Sequence, residues 1–261
     1  MLDALAPARR RLVLLLVVAV LVAVVLALAL AVVRLTSGGD PVAQDRPGPV
    51  VLVSGYGGST RSLEPLRAAL ERDGRDVVVA PAVGGGTGDI AAQAEALDGV
   101  VDDAIEQAGA GSVDVVGYSA GGVVAREWVR HHGGDGKARR VLSIGSPQHG
   151  TTVAALAAGL AGQCPLACHQ LEPDSDLLRA LNARDETPAG PRFVSVWSDA
   201  DEVVVPPGSA RLDGALDLTV QELCPGARTA HGDLPSDPVV LALLASALGP
   251  GAPSAPEHVS C

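Results

Sequence analysis

The chain is 261 residues long, 48% apolar and only 2% aromatic, with a formal net charge of −11. Its first 36 residues hold four arginines and one aspartate, so the remainder carries 15 basic and 29 acidic groups. That excess of negative charge repels phosphate backbones and anionic bilayer surfaces and argues against nucleic acid as a partner. Roughly 215 residues lie beyond the N-terminal segment, enough for one domain with a sizeable core. That core has to be aliphatic, because the chain has one Phe, two Trp and two Tyr.

Arg9, Arg10 and Arg11 precede an uncharged apolar run at 12–33. As a helix such a run is about 33 Å long, enough to cross a hydrocarbon core. Residues 1–11 then stay cytoplasmic and everything after Arg34 lies outside. The run reads either as a single-pass signal anchor, which places the protein in the cell membrane, or as a signal peptide cleaved at a small-x-small site such as Ala29-Leu30-Ala31, which makes it secreted. Residues 34–47, rich in Ser, Gly, Asp, Pro and Gln, read as a linker, 48–249 as the folded domain and 250–261 as a Pro-containing tail. The four cysteines, Cys164, Cys168, Cys224 and Cys261, form an even set that suits an oxidising compartment and allows three pairings. Cys164–Cys168 closes a short Pro-containing loop and leaves Cys224–Cys261 to tie down the tail. A zinc site at Cys164, Cys168 and His169 is the alternative, and it has no matching second ligand pair nearby.

From residue 49 onward strands and helices alternate. The pattern predicts strands at 49–54, 76–81, 113–116, 139–145, 193–197 and 215–220. It predicts helices at 63–73, 90–107, 123–130 and 239–248, with two short ones near 153–161 and 174–182 in an otherwise irregular stretch. Continuous apolar strands between amphipathic helices point to an α/β fold with a mostly parallel sheet covered on both faces. Functional sites in such sheets lie at the carboxyl ends of the strands.

The strand at 113–116 runs into Gly117-Tyr118-Ser119-Ala120-Gly121, and a helix follows. This is a strand, a sharp turn and a helix with Ser119 at the apex, the arrangement that holds a serine hydroxyl clear of the backbone. Gly117 and Gly121 suit such a turn because flanking Cβ atoms would collide with the neighbouring strand and helix. An ordinary Gly-rich turn is the bland reading, and it is weighed against the partners downstream.

A serine nucleophile needs a base, and histidine titrates in the right range. Of six histidines, His131 and His132 lie about three turns along the same helix, His169 sits beside the cysteine loop and His258 is in the tail. His231 follows the last strand and precedes the final helix, which brings it back to the carboxyl edge of the sheet. His149 precedes the candidate acids, whereas the usual order on this kind of sheet is Ser, acid, His, so His231 is the expected base and His149 a pocket-lining or structural residue. The acid that orients the base is sought at the end of the strand at 193–197, where Asp199, Asp201 and Glu202 fall within four residues. Asp201 is the first choice and Asp199 the second; a solvated acidic turn is the bland reading. Two backbone N–H groups are needed for an oxyanion. Ala120, directly after the nucleophile, is one. The other comes from Ser54-Gly55-Tyr56-Gly57-Gly58, with Tyr56 first and Gly57 second.

Taken together, these segments resemble the bacterial class 2 triacylglycerol lipases, which are α/β-hydrolases. Val50 to Gly58 is similar to their oxyanion loop, Val113 to Gly122 to their elbow and Gly145 to Thr151 to the segment after the next strand. Ser198 to Val204 followed by Arg211-Leu212-Asp213-Gly214-Ala215 is similar to their acid loop, and His231 falls at their catalytic histidine. The cysteine contexts resemble the extracellular actinobacterial branch. The resemblance covers about residues 48 to 248 and implies an α/β-hydrolase fold, a Ser119–Asp201–His231 triad, lipid or other ester substrates and no cofactor or metal. Ser54 departs from the pattern, since the family usually has His-Gly where this chain has Ser54-Gly55. The expectation is therefore an exported lipase or esterase, attached to the membrane through its N-terminal helix or secreted. A carboxylesterase or thioesterase, an acyltransferase, and a non-catalytic envelope protein on the same scaffold are the alternatives. The apolar stretch 153–160 is either a flap over an acyl pocket or packed core.

Overall fold

The computed structural model describes residues 15–26, 28, 42–159 and 164–261. The chain divides into two units, Met1–Asp40 and Pro41–Cys261. In the first, residues 15–26 form helix α1, and their side chains are exposed. The remainder of the apolar run at 12–33, the arginine cluster, the candidate cleavage site and residues 34–41 of the linker lie outside the described residues. Among the described residues no helix is long and apolar enough to cross a membrane.

The second unit is built on six parallel strands in the order β2-β1-β3-β4-β5-β6. They are β1 (Val50–Val53), β2 (Val77–Val79), β3 (Val113–Tyr118), β4 (Ala138–Ile144), β5 (Arg192–Trp197) and β6 (Leu216–Thr219). The helices are α2 (Glu64–Arg72), α3 (Ile90–Ala108), α4 (Ala120–His131), α5 (Thr152–Gly159), α6 (Leu166–Gln170), α7 (Asp176–Asn182), α8 (Val220–Leu223) and α9 (Pro238–Leu248). Both α6 and α8 are absent from the sequence-based expectation. They span five and four residues, too short to reveal a helical period. The predicted helix near 153–161 is α5, and residues 160–161 lie outside the described set.

β1, an inner strand of the sheet, is apolar on both faces because helices cover both. Val51 and Val53 of β1 turn toward α3 and α4, where Leu97, Val124 and Trp128 are buried. Val50 and Leu52 turn the other way, toward α2 and α9, where Leu66, Leu70 and Leu243 are buried. Local chemistry marks the helix ends. The Asp89 side chain accepts the Ala91 N–H at the start of α3, and Gly109 stops that helix with φ of 59°. Asp237 caps α9, with Pro238 in its first turn. Thr219 and Glu222 form a capping box on α8.

At the amino ends of the strands, the buried Asp114 carboxylate accepts from Arg139 at 2.9 and 2.5 Å and from Arg75 at 2.6 Å. Arg139 also donates to the carbonyls of Gln44, Leu248 and Gly249, tying both ends of the domain to its base. The tail is held a second time by the Cys224–Cys261 disulfide, and Cys164–Cys168 closes the loop ahead of α6.

The chain path places the loops that matter for function side by side. β1 leads out to β2 on one side of the sheet, and the next strand, β3, returns to the other side of β1. The order reverses between β1 and β3, so the loops after these two strands flank the crevice where α/β sheets bind ligands.

Candidate functional site

β3 ends at Tyr118, α4 begins at Ala120, and Ser119 between them has φ of 54° and ψ of −127°. Among the described residues it is the one non-glycine with positive φ. The strain is held by packing on every side. A Cβ on Gly117 would stand 2.4 Å from the Gly122 nitrogen, and one on Gly121 would stand 2.3 Å from the Val53 carbonyl oxygen. The Ser119 amide donates to Ile144 O at 2.8 Å, which anchors the turn to β4.

His231 opens a 3-10 turn, His231–Ser236, and is buried. Its Nε2 lies 3.0 Å from Ser119 Oγ and its Nδ1 lies 2.7 Å from Asp201 Oδ2. The other carboxylate oxygen of Asp201 accepts the amides of Val203 and Val204, each at 2.8 Å, so the group is oriented by its own loop. Asp199 is exposed, and its amide donates to Gln221 Oε1. Of the two aspartates considered, Asp201 is the one that meets His231. Gly145, with φ of 53°, gives the pair room, since a Cβ there would lie 2.5 Å from Leu234 and 3.3 Å from Asp201 Oδ2.

His149, His131 and His169 are engaged elsewhere. His149 has Nδ1 at 3.2 Å from Ser209 O and Nε2 at 2.7 Å from Glu186 Oε1. Burial opposes ionisation of Glu186, but the Asp213 N–H and His149 outweigh it and hold the carboxyl below its usual range. His131 pairs with Glu127 and His169 with Glu172, and His258 is exposed. Cys164, His169 and Glu172 come within ligand distance of one another, but the Cys164 sulfur is bonded to Cys168 and offers no thiolate.

The loop after β1 runs directly past the serine. A Cβ on Gly55 would stand 2.8 Å from Ser119 Cβ and 3.3 Å from its Oγ. The Gly57 amide is taken by Gly86 O at 3.3 Å, and Gly58 N donates back to Gly55 O at 3.0 Å. Among the described residues the amides of Tyr56 and Ala120 donate to no protein acceptor, which favours Tyr56 over Gly57 as the second free donor beside Ser119. Ser54 is buried beneath this loop, beside a cavity of about 30 Å³.

Ser119 opens into an apolar cavity of about 220 Å³. Val153, Ala154 and Ala157 of α5 line it, together with Cys168, Leu171, Val203, Val204 and Tyr56. The inner face of α5 is therefore pocket wall. Its outer face carries Leu156, which is 71% exposed. Residue 160, the end of the expected flap, lies outside the described residues.

Two further residues touch the site. The Tyr118 hydroxyl donates to His231 O at 3.1 Å, and Glu202 Oε2 accepts the His231 N–H at 3.2 Å. The sequence marks Tyr118 only as the chain neighbour of Ser119, and Glu202 only as one of the three carboxylates after the strand at 193–197, with no role toward the His231 main chain.

Residues 103–214 match the family model of the class 2 lipases. The matched segment contains Ser119 and Asp201; the loop after β1 and His231 lie outside it. No curated protein matches the chain. Among solved structures, the lipase B of Aspergillus fumigatus superposes with a TM-score of 0.66 at 22% identity, over 84% of this chain and 56% of that one. The Bacillus licheniformis lipase BlEst2 in mature form superposes with a TM-score of 0.59 at 19% identity, over 76% of this chain and 91% of that one. Its propeptide form gives 0.59 at 20% identity, over 76% of this chain and 49% of that one. The chain thus spans little more than half of the Aspergillus protein, and at these identities the likeness is one of fold: an α/β-hydrolase-like parallel sheet with flanking helices.

Proposed function

We propose that this chain is a serine ester hydrolase of lipase type, with Ser119 as nucleophile, His231 as base and Asp201 as the acid that orients it. The observation that carries the reading is the unbroken contact from Asp201 through His231 to Ser119 Oγ, at 2.7 and 3.0 Å, on a turn strained to present that hydroxyl. Asp201 fixes the tautomer with Nδ1 protonated, which leaves Nε2 to take the Ser119 proton. Ser119 Oγ attacks the ester carbonyl, and the Tyr56 and Ala120 amides receive the developing oxyanion. His231 then gives its proton to the leaving alcohol. A water molecule gives a proton to His231 and attacks the acyl carbon; the bond to Ser119 Oγ breaks, His231 returns the proton to that oxygen and the carboxylic acid leaves. None of these steps calls for a cofactor.

The apolar walls of the cavity support an acyl chain as the bound group, and the family match supports acylglycerols or related lipid esters as the substrate class. The modest cavity favours a second reading at the same site, a carboxylesterase for short acyl chains. Two cysteine pairs and the arginine-flanked apolar run at 12–33 support export, with the catalytic domain outside the cell, anchored or released.

The test is labelling of the full chain with a fluorophosphonate, wild type beside Ser119→Ala and His231→Ala. Labelling of the wild type alone is expected, and a p-nitrophenyl ester series of increasing chain length then separates lipase from esterase. A folded, oxidised wild type that stays unlabelled even in detergent sinks the hydrolase reading and leaves a binding protein on a hydrolase scaffold.

A further inference from the structure

The main chain of His231 is held from both sides by residues that the reaction above does not use. Its N–H donates to Glu202 Oε2 at 3.2 Å, and its carbonyl accepts the Tyr118 hydroxyl at 3.1 Å. Tyr118 immediately precedes Ser119, and Glu202 immediately follows Asp201. The chain neighbours of the other two members of the site therefore each grip the backbone of the third. The Tyr118 ring also lies against the imidazole, with centroids 5.3 Å apart and planes inclined at 30°. Burial, reinforced by Asp201, Glu202 and Asp233, pushes the Tyr118 phenol up to about 12, so the hydroxyl keeps its proton and remains a donor.

His231 needs such a hold. It opens a short 3-10 turn, His231–Ser236, with no side-chain cap. The imidazole has to satisfy two partners at once, Ser119 at 3.0 Å and Asp201 at 2.7 Å, which come from loops after different strands. A small displacement of the His231 main chain would lengthen one contact or the other.

We propose that Tyr118 and Glu202 are positioning residues that lock the His231 main chain in register with the serine turn and the acid loop. This rests on the serine-hydrolase reading, and the two are separable by experiment. Tyr118 reaches the base loop from the end of β3, whereas Glu202 reaches it from the loop after β5. Their effects are therefore expected to be distinct and to compound.

The experiment compares the full-length wild type with Tyr118→Phe, Glu202→Ala, Glu202→Gln and the Tyr118→Phe/Glu202→Ala double variant. Turnover of p-nitrophenyl butyrate is normalised to active sites titrated with a fluorophosphonate, so that misfolded protein does not count. Tyr118→Phe keeps the ring and removes the donor, and kcat is expected to fall about 5- to 30-fold with KM within about twofold. Glu202→Ala is expected to lower kcat about 3- to 10-fold, and Glu202→Gln to restore it to within about twofold, because an amide oxygen still accepts the N–H.

Unchanged kcat per titrated site in both Tyr118→Phe and Glu202→Ala overturns the proposal, as does a Glu202→Gln variant as impaired as Glu202→Ala. If the wild type neither turns over nor labels, the hydrolase reading is what has failed. The positioning is then read by ¹⁵N NMR of histidine-labelled protein. A single His231 tautomer in the wild type that becomes averaged in Tyr118→Phe supports the hold, and identical spectra overturn it.

Discussion

Gly121 packs so tightly against Val53 that a Cβ on it would stand 2.3 Å from the Val53 carbonyl oxygen. The contact seats the first turn of α4 on β1, and Ser119 is the residue on which that turn begins. A methyl group at Gly121 forces α4 outward and carries Ser119 with it. Displacement of about an ångström at a reacting group costs roughly 100-fold in rate. Gly121→Ala is therefore expected to lower kcat/KM and the fluorophosphonate labelling rate by about 100-fold or more. Labelling at the wild-type rate would show that the contact has no hold on the nucleophile.

The loop after β1 is fixed by its backbone rather than by Ser54. Gly57 donates to Gly86 O, and a Cβ on Gly86 would stand 2.5 Å from the Gly58 nitrogen. Ser54→Ala is expected to keep kcat within about threefold, since no proposed oxyanion donor is lost. Gly86→Ala has both a steric clash and a φ of 69° against it, and about a 100-fold loss of kcat is expected. Steady-state kinetics on the two variants checks the contrast, and a severe Ser54→Ala defect would contradict it.

Ala157 lines the cavity from α5. Ala157→Leu fills the space an acyl chain would take. The ratio of kcat/KM for a long-chain over a short-chain p-nitrophenyl ester is expected to fall by about 10-fold or more. A ratio that does not move would place the acyl chain elsewhere.

Asp217 of β6 has its carboxyl pushed up to about 6, chiefly by burial, with Glu186 and Glu222 adding to it and the Leu212 N–H and Arg211 opposing. In an unfolded chain the group titrates near its ordinary value of about 3.9. Between these two values the folded chain holds a proton that the unfolded chain has released, so stability falls as pH rises through that window. Above it Asp217 is a charged group in a site that disfavours the charge. Asp217→Asn keeps an acceptor for Leu212 and removes the charge, so it is expected to raise Tm at neutral pH and to leave it unchanged near pH 4. Thermal melts at the two pH values test this, and a lower Tm for the variant at neutral pH would reverse the sign.

Much of the architecture is legible without coordinates because its signals are short-range. The strand at 113–116 runs on to Tyr118 as β3, and the helix predicted from 90 to 107 ends one residue later, where Gly109 takes up its left-handed conformation. The missed helices, α6 and α8, are a single turn or little more; a capping box holds α8, and the Cys164–Cys168 disulfide and the Ala167 N–H donated to Thr87 O hold α6, rather than any periodicity.

Sequence alone determined the turn at Ser119, because its causes, the two glycines and the strand and helix around them, lie within a few residues of one another. It also narrowed the partners to His231 or His149, Asp201 or Asp199, and Tyr56 or Gly57. His231, Asp201 and Tyr56 ranked first within those pairs, and whether the groups meet was decided by the tertiary structure. His231 is 112 positions from Ser119, and Asp201 is 30 positions from His231. Whether such groups meet depends on where β3, β5 and the base loop end in space, which no local pattern encodes. The same holds for Tyr118 and Glu202: their grip on the His231 main chain arises only when three loops converge at one edge of the sheet.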